Sequence, residues 1–357
     1  MSSPKKLILV IGATGAQGRP VVSHLLKEPT PYAVRALTRD PTSKRAQALA
    51  AQGVELFRGS FDDYEAVKAA LEGCYGAFVN TDTLNVGEAA DIYIGIRIFE
   101  LAMQTPTLRH YVYSSLDNLL RNSNYNPLYT PAQYMGKARV ADWMRSQETV
   151  VNDKGMTWSI LSTGIYMEML QTAMTAPLNK RADGTYVFAS AIGDGHAPFV
   201  AVEDIGWWAR YSFDHRAEVS GKELEIVGDM VGWDYLVETF TRVTGIPAVY
   251  KRQTFDEWWN NFDSSATSKP LGHWWKTGVM YRDNFTRFWS AYRDDIIKRD
   301  MDWILSVHPG TLTLEKWMRK NNYRGEYKLH EEGVILKDAE DGKMIPLEPN
   351  REVTSKL

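Results

Sequence analysis

Residues 7–18, LILVIGATGAQG, decide the fold. Leu7 to Ile11 is a short apolar run bounded by glycine, as a strand buried inside a parallel sheet would be. Gly12, Gly15 and Gly18 follow in G-x-x-G-x-x-G spacing, and RPVVSHLLK places Val21, Val22, Leu25 and Leu26 on one helical stripe. Strand, tight turn and helix in that order make a phosphate cradle. Glycines let the backbone approach a pyrophosphate, and the free N–H groups and positive dipole of the helix start bind it. The cradle candidates are Gly12, Thr14, Gly15, Ala16, Gln17 and Gly18.

The pattern repeats downstream. YAVRALTRD reads as a second strand ending near Leu37, VELFRGSFDD as a third, GAFVNTD as a fourth and RHYVYSSLDN as a fifth. Helical segments lie between them, including YEAVKAALEG and the stretch from Tyr93 to Met103. Strands alternating with helices imply an α/β doubly wound parallel sheet of Rossmann type, with ligand at the carboxyl ends of the strands. On that rule Ser60, Asn80, Thr81, Ser114 and Ser115 face the same crevice as the glycine turn. Where an acidic residue would hold a ribose 2′-hydroxyl, Thr38 and Arg39 end the second strand, and Lys44 and Arg45 follow. A guanidinium suits a 2′-phosphate, so the expected cofactor is NADP(H), bound through Arg39 and Lys44. Asp40 is the counter-signal, because its carboxylate could turn inward instead.

The remaining composition bounds the class. The chain has 357 residues with a net charge of -3, which argues against a nucleic-acid protein built on bulk positive charge. No apolar run approaches the ~20 residues of a membrane span, and the apolar run near the N-terminus is too short for a secretory signal. Cys74 is the single cysteine, so no internal disulfide forms. The histidines are scattered without i, i+4 pairs, and no metal site is expected. The last three residues, Ser355-Lys356-Leu357, match a peroxisomal address, so the expected location is peroxisomal through an import receptor, and otherwise cytoplasmic.

VIGATGAQG, VRALTRDP, YSSLDN and PFVAVEDIG, in this order and spacing, resemble the NmrA-like branch of the atypical short-chain dehydrogenase/reductase superfamily. The resemblance implies a Rossmann domain for NADP and a smaller domain closing over the crevice. The branch holds both reductases, including the isoflavone reductase-like group, and NADP-sensing regulators without turnover. In the superfamily's reductases a tyrosine general acid stands four residues before a lysine. Here Lys137 has Gln133 at that position and Tyr134 three before it, a shift of one residue. GKARVADWM is similar to the lysine segment of the isoflavone reductase-like group, where lysine works without the tyrosine. Lys137 is therefore the leading catalytic and ribose-binding candidate, with Tyr134 and Ser115 as further catalytic candidates and Gln133 on the substrate side.

All twelve tryptophans lie at or after Trp143. The division expected is residues 1–160 for the NADP-binding core and 161–330 for a mostly helical, aromatic-rich substrate region, interleaved with late Rossmann strands at about 198–230. Residues 331–357 read as a hairpin around Asp341-Gly342 and a polar tail. Tyr166 and Met167 are expected in the substrate wall, with Met169 beside them. GHWWKTG, carrying Trp274 and Trp275, and FTRFWSAY read as lid segments at an aromatic ligand, although core filling or an oligomer interface accounts for most of the indoles. Two functions stay open: an NADPH-dependent reductase of an aromatic or conjugated carbonyl in secondary metabolism, or an NADP(H)-binding redox sensor controlling a protein partner. The peroxisomal tail and the aromatic region favour the first, and Gln133 in the tyrosine position favours the second.

Overall fold

The computed structural model describes residues 4–270, 278–328 and 347–357. Strands β1 (Lys6–Ile11), β2 (Tyr32–Thr38), β3 (Glu55–Arg58), β4 (Gly76–Val79), β5 (His110–Ser115), β6 (Thr157–Ser162) and a late strand, β11 (Lys222–Glu225), form one sheet. Its order is β3-β2-β1-β4-β5-β6-β11, with every neighbouring pair parallel. The chain runs outward from β1 in both directions, so the carboxyl ends of β1 and β4 flank the crevice where such sheets bind ligand.

Alternation along β1 separates two cores. Ile8 and Val10 face a layer with Val21, Val22, Leu25, Val34, Phe78 and Trp208, while Leu9 and Ile11 face Val67, Ala77, Ile94, Ile98, Tyr113 and Val140. The first layer is closed by α1 (Gly18–Leu26) and α8 (Val202–Asp214). These two helices touch at Gly206, where an added Cβ would stand 2.5 Å from the carbonyl oxygen of Pro20. The second layer is closed by α3 (Tyr64–Leu71), α5 (Glu88–Met103) and α7 (Ala132–Arg145). The fold class expected from residues 7–18 is the one observed.

The second half adds two small sheets to its helices. Strands β7 (Ile165–Tyr166), β10 (Ala197–Val200) and β12 (Asp229–Val231) make one small sheet, and β8 (Asn179–Lys180), β9 (Tyr186–Ser190) and β13 (Ala248–Arg252) another. Of the late strands expected in the Rossmann sheet, β11 joins it; β10 pairs instead with β7 and β12. Helix α8 begins at Val202, whose amide donates to the Glu168 carboxylate. Asp204 sits inside the first turn, where its carboxylate accepts from the Leu312 amide and contacts the His308 ring.

A third core fills this half, built around α10 (Trp233–Thr244), α11 (Phe255–Asn260), α13 (Tyr281–Arg293) and α15 (Leu314–Lys320). Trp233, Trp258, Trp259, Trp289 and Trp317 are all buried there. Trp233, Trp258 and Trp289 meet edge to face, with centroids 5.5–5.6 Å apart. FTRFWSAY is therefore interior filling around Trp289, not an open lid segment. Trp274, Trp275 and the hairpin expected around Asp341-Gly342 lie outside the described residues. The segment after them is not simply extended: Asn350 caps a short helix at Arg351–Thr354.

Candidate functional site

The glycine turn is shaped by close approach. Gly12 has φ +85, and a Cβ there would stand 3.0 Å from the Asn80 carbonyl oxygen. At Gly18 a Cβ would lie 2.1 Å from the Gly12 oxygen, so no side chain fits where α1 folds back on the turn. Gln17 ends the turn without capping α1. Its amide instead bridges two other elements: Oε1 accepts from the Ser114 hydroxyl at 2.6 Å, and Nε2 donates to the Tyr166 hydroxyl at 2.9 Å. The α1 start thus carries no side-chain cap and is suited to an anion.

The predicted strand-end residues separate into those that meet and those that do not. Lys137 is buried, and its Nζ donates to the Thr81 carbonyl at 2.9 Å, the Thr81 hydroxyl at 3.2 Å and Asn80 Oδ1 at 3.3 Å. Asn80, Thr81 and Lys137 therefore form one group beside Gly12. Burial holds the Lys137 ammonium below the ordinary lysine range, opposed by the nearby charges of Asp91 and then Asp82. Ser114, Gln17 and Tyr166 form the second group, and burial pushes the Tyr166 phenol up to about 12. Ser115 is turned away, its hydroxyl donating to the Leu116 carbonyl at 3.3 Å. Ser60 follows β3 and is half-buried.

Tyr134 points elsewhere. It is fully buried with its hydroxyl 2.6 Å from that of Tyr292, packed against Phe288 of α13. Burial and the nearby Asp117 raise its pKa, against the Tyr292 hydrogen bond, which is the wrong direction for an acid at neutral pH. Gln133 accepts from the Asn284 side chain at 2.8 Å, and Asn284 in turn accepts from the Ala132 amide at 2.7 Å. The two residues nearest the superfamily's tyrosine position thus fasten α7 to α13. Met167 is wholly buried in the third core, so Tyr166 alone of that pair reaches the crevice side.

The basic residues divide in the same way. Arg39 is exposed at the end of β2, and Lys44 is exposed in the first turn of α2 (Lys44–Ala50). Arg45 is the buried one, its guanidinium donating to the Thr14 carbonyl of the glycine turn at 3.1 Å. Asp40 does not turn inward. Its carboxylate accepts from the Thr42 hydroxyl at 2.6 Å and the Thr42 amide at 2.8 Å, and these bonds hold it below the usual carboxylate range. The Asp40 carboxylate is thus engaged within its own loop, with Arg39 exposed beside it.

Two buried acids went unmarked in the sequence reading. Glu168 accepts from the Trp317 indole at 3.2 Å as well as from the Val202 amide, and burial lifts it to about 7. Asp91 lies in α5, EAADIYIGIRIFELAM, and is buried where Glu88, Arg97 and Glu100 of the same helix are only half-buried. Its place on the stripe shared with Ile94, Gly95, Ile98 and Phe99 could have marked it as an inward carboxylate. Among the described residues no group of three or more His, Cys, Asp or Glu side chains is arranged to hold a metal, and no helix is long and apolar enough to cross a membrane.

A seven-stranded parallel sheet, a glycine turn leading into an uncapped α1 and a buried α7 lysine held by the residues after β4 define a Rossmann-type α/β protein. The NmrA-like family profile matches residues 4–270, and the chain belongs to that family. Among its relatives, the NmrA-like family domain-containing oxidoreductase malD of Malbranchea aurantiaca is 31% identical over 262 residues, covering 71% of this chain and 77% of its own. The similarly described hkm9 of Aspergillus hancockii is 29% identical over 277 residues, covering 74% and 79%. NmrA, a negative transcriptional regulator solved with NADP, superposes with a TM-score of 0.68 at 20% identity over 89% of this chain and 95% of its own. The NADPH-dependent quinone oxidoreductase QOR2 from Escherichia coli, solved with NADPH, gives 0.65 at 21% identity over 88% and 100%. These two likenesses concern the fold.

Proposed function

We propose that the chain is an NADPH-dependent reductase of a small aromatic or conjugated carbonyl compound. The observation that carries this reading is Lys137, buried beside the glycine turn with its ammonium held by Asn80 and Thr81. The donor set suits the dinucleotide: glycine backbone and the α1 start for pyrophosphate, and Arg39 and Arg45 beside the adenosine end. When bound, the reduced nicotinamide supplies hydride. Lys137 orients the nicotinamide ribose and offers a proton from Nζ, which its lowered pKa makes a better donor near neutral pH. Tyr166, tied to the turn through Gln17, walls the substrate side. Relatives described as oxidoreductases support the same reading.

The sensor reading keeps one specific support: Tyr134 and Gln133 are engaged with α13 and supply no acid to the crevice. A panel of aromatic enones and aldehydes with NADPH, followed at the reduced-nicotinamide absorbance, separates the two. Oxidation of NADPH in preference to NADH is expected, with Arg39→Ala narrowing that preference at least tenfold. Tight NADPH binding without oxidation across the panel would leave the sensor.

For location, the proposal is peroxisomal import through Ser355-Lys356-Leu357. Ser355 and Lys356 are exposed, while the Leu357 carbonyl accepts from Arg181 Nε at 3.1 Å and Nη2 at 3.0 Å, so a receptor must displace that contact. Deleting the three residues should leave a tagged protein in the cytosol; continued import would refute the address.

A further inference from the structure

Among the described residues three carboxylates are buried at 3% exposure or less: Asp91, Asp117 and Asp204. Asp117 grips Arg299, and Asp204 has the His308 ring and the Leu312 amide. Asp91 is different. Its Oδ2 accepts from the Thr83 hydroxyl at 2.6 Å, and its Oδ1 has no hydrogen-bond partner among the described residues. Burying a carboxylate oxygen without a hydrogen-bond donor is costly unless an opposite charge lies nearby.

The lysine helix supplies it. Gly136, the neighbour of Lys137, is where α7 lies on Asp91: a Cβ at that position would stand 3.0 Å from Asp91 Oδ2 and 3.2 Å from Thr83 Cγ2. Glycine lets α7 seat closely on Asp91, whose charge favours the Lys137 ammonium, while Nζ is held by Asn80 and Thr81. Tyr113 of β5 completes the chamber, its ring centroid 5.8 Å from Nζ and its hydroxyl buried.

We propose that Asp91 is the positioning residue of the Lys137 site, a buried counter-charge that keeps the lysine an ammonium and aims it at the crevice. Resting on the reading of Lys137 as the proton donor, this adds a residue that touches neither cofactor nor substrate. The charged and titratable groups facing the pair are Asp82 after β4, Tyr113 on β5, and Glu88 with its partner Arg139 at the start of α5. Asp82 acts on the same lysine, but it is only half-buried and water screens it. Desolvation and Asp91 therefore pull the lysine in opposite directions, the first towards neutrality and the second towards charge.

The test follows the lysine itself, without cofactor or substrate. In protein labelled with ¹³C-lysine, the Lys137 Cε resonance, assigned by its loss in Lys137→Arg, is titrated with pH. Asp91→Asn should lower the Lys137 midpoint by about one pH unit or more, and Asp82→Asn by clearly less. An unchanged midpoint in folded Asp91→Asn protein overturns the proposal. Should that variant fold too weakly for a pH titration, denaturant unfolding of Asp91→Asn, Lys137→Met and the double variant at a single pH carries the same question. A double variant less destabilised than the sum of the singles supports the pair, and additive losses overturn it. Absent turnover with an intact midpoint shift would defeat the reductase reading alone.

Discussion

Lys137→Arg is expected to lower the kcat for NADPH oxidation by about 10²- to 10⁴-fold, the range that a positioned general acid contributes. Arginine is the informative replacement because it keeps a positive charge in front of Asp91. A guanidinium, however, does not release its proton near neutral pH. It is also planar and longer, so it cannot reproduce the three contacts of Nζ with Asn80 and Thr81. Lys137→Met should show the same kinetic loss with a larger fall in melting temperature, since it leaves a buried carboxylate without its cation. A rise in KM for NADPH with kcat intact would make Lys137 a ribose anchor and move the proton source elsewhere. Turnover unchanged in both variants would sink the role altogether.

Arg299→Leu should cost about 3–5 kcal/mol of folding stability, the usual penalty for breaking a buried ion pair from one side. Arg299 is wholly buried, and its two terminal nitrogens reach the two Asp117 oxygens at 2.7 Å each, one of them also donating to the Thr163 carbonyl at 3.2 Å. Asp117 follows β5 and Thr163 follows β6, so this side chain ties the segment after α13 to the carboxyl edge of the main sheet. Removing it strands a carboxylate where water does not reach. Asp117→Asn/Arg299→Leu should recover part of the loss, because the stranded charge disappears with its partner. Urea unfolding of both variants measures this; a loss below about 1 kcal/mol for Arg299→Leu would place the pair among solvent-exposed ones.

The nucleotide half was legible because its signals are local. The continuous apolar run of residues 7–11, the glycine spacing and the strand-end polarity each report on a few neighbouring residues, and all agree. Lys137 was found the same way, and the structure gives it Asn80 and Thr81, two of the strand-end residues named with it. What escaped is long-range. Tyr134 is three residues from Lys137, and helical spacing allows it near the crevice; its hydroxyl goes to Tyr292, 158 positions away. Gln133 is claimed by Asn284 in the same manner. Neither contact leaves a trace in the local pattern. Arg45 and Lys44 were named together after the strand end, and only the inward side that Arg45 shares with Ala46 and Leu49 separates the buried residue from the exposed one. The indoles read mainly as interior filling, and five of them do fill the third core; their abundance alone does not tell which would stand at a ligand.

The contact at Gly206 bears on inheritance as well as packing. A chain ending near residue 160 would carry the whole glycine turn yet lack both α8 and β11, leaving Val21, Val22 and Leu25 bare on one side and the β6 edge unpaired. Such a piece cannot be moved between proteins as a ready-made nucleotide cassette. Any recombination that exchanges the aromatic half must also preserve a helix threaded back onto α1, which confines diversification to the loops and side chains around the crevice.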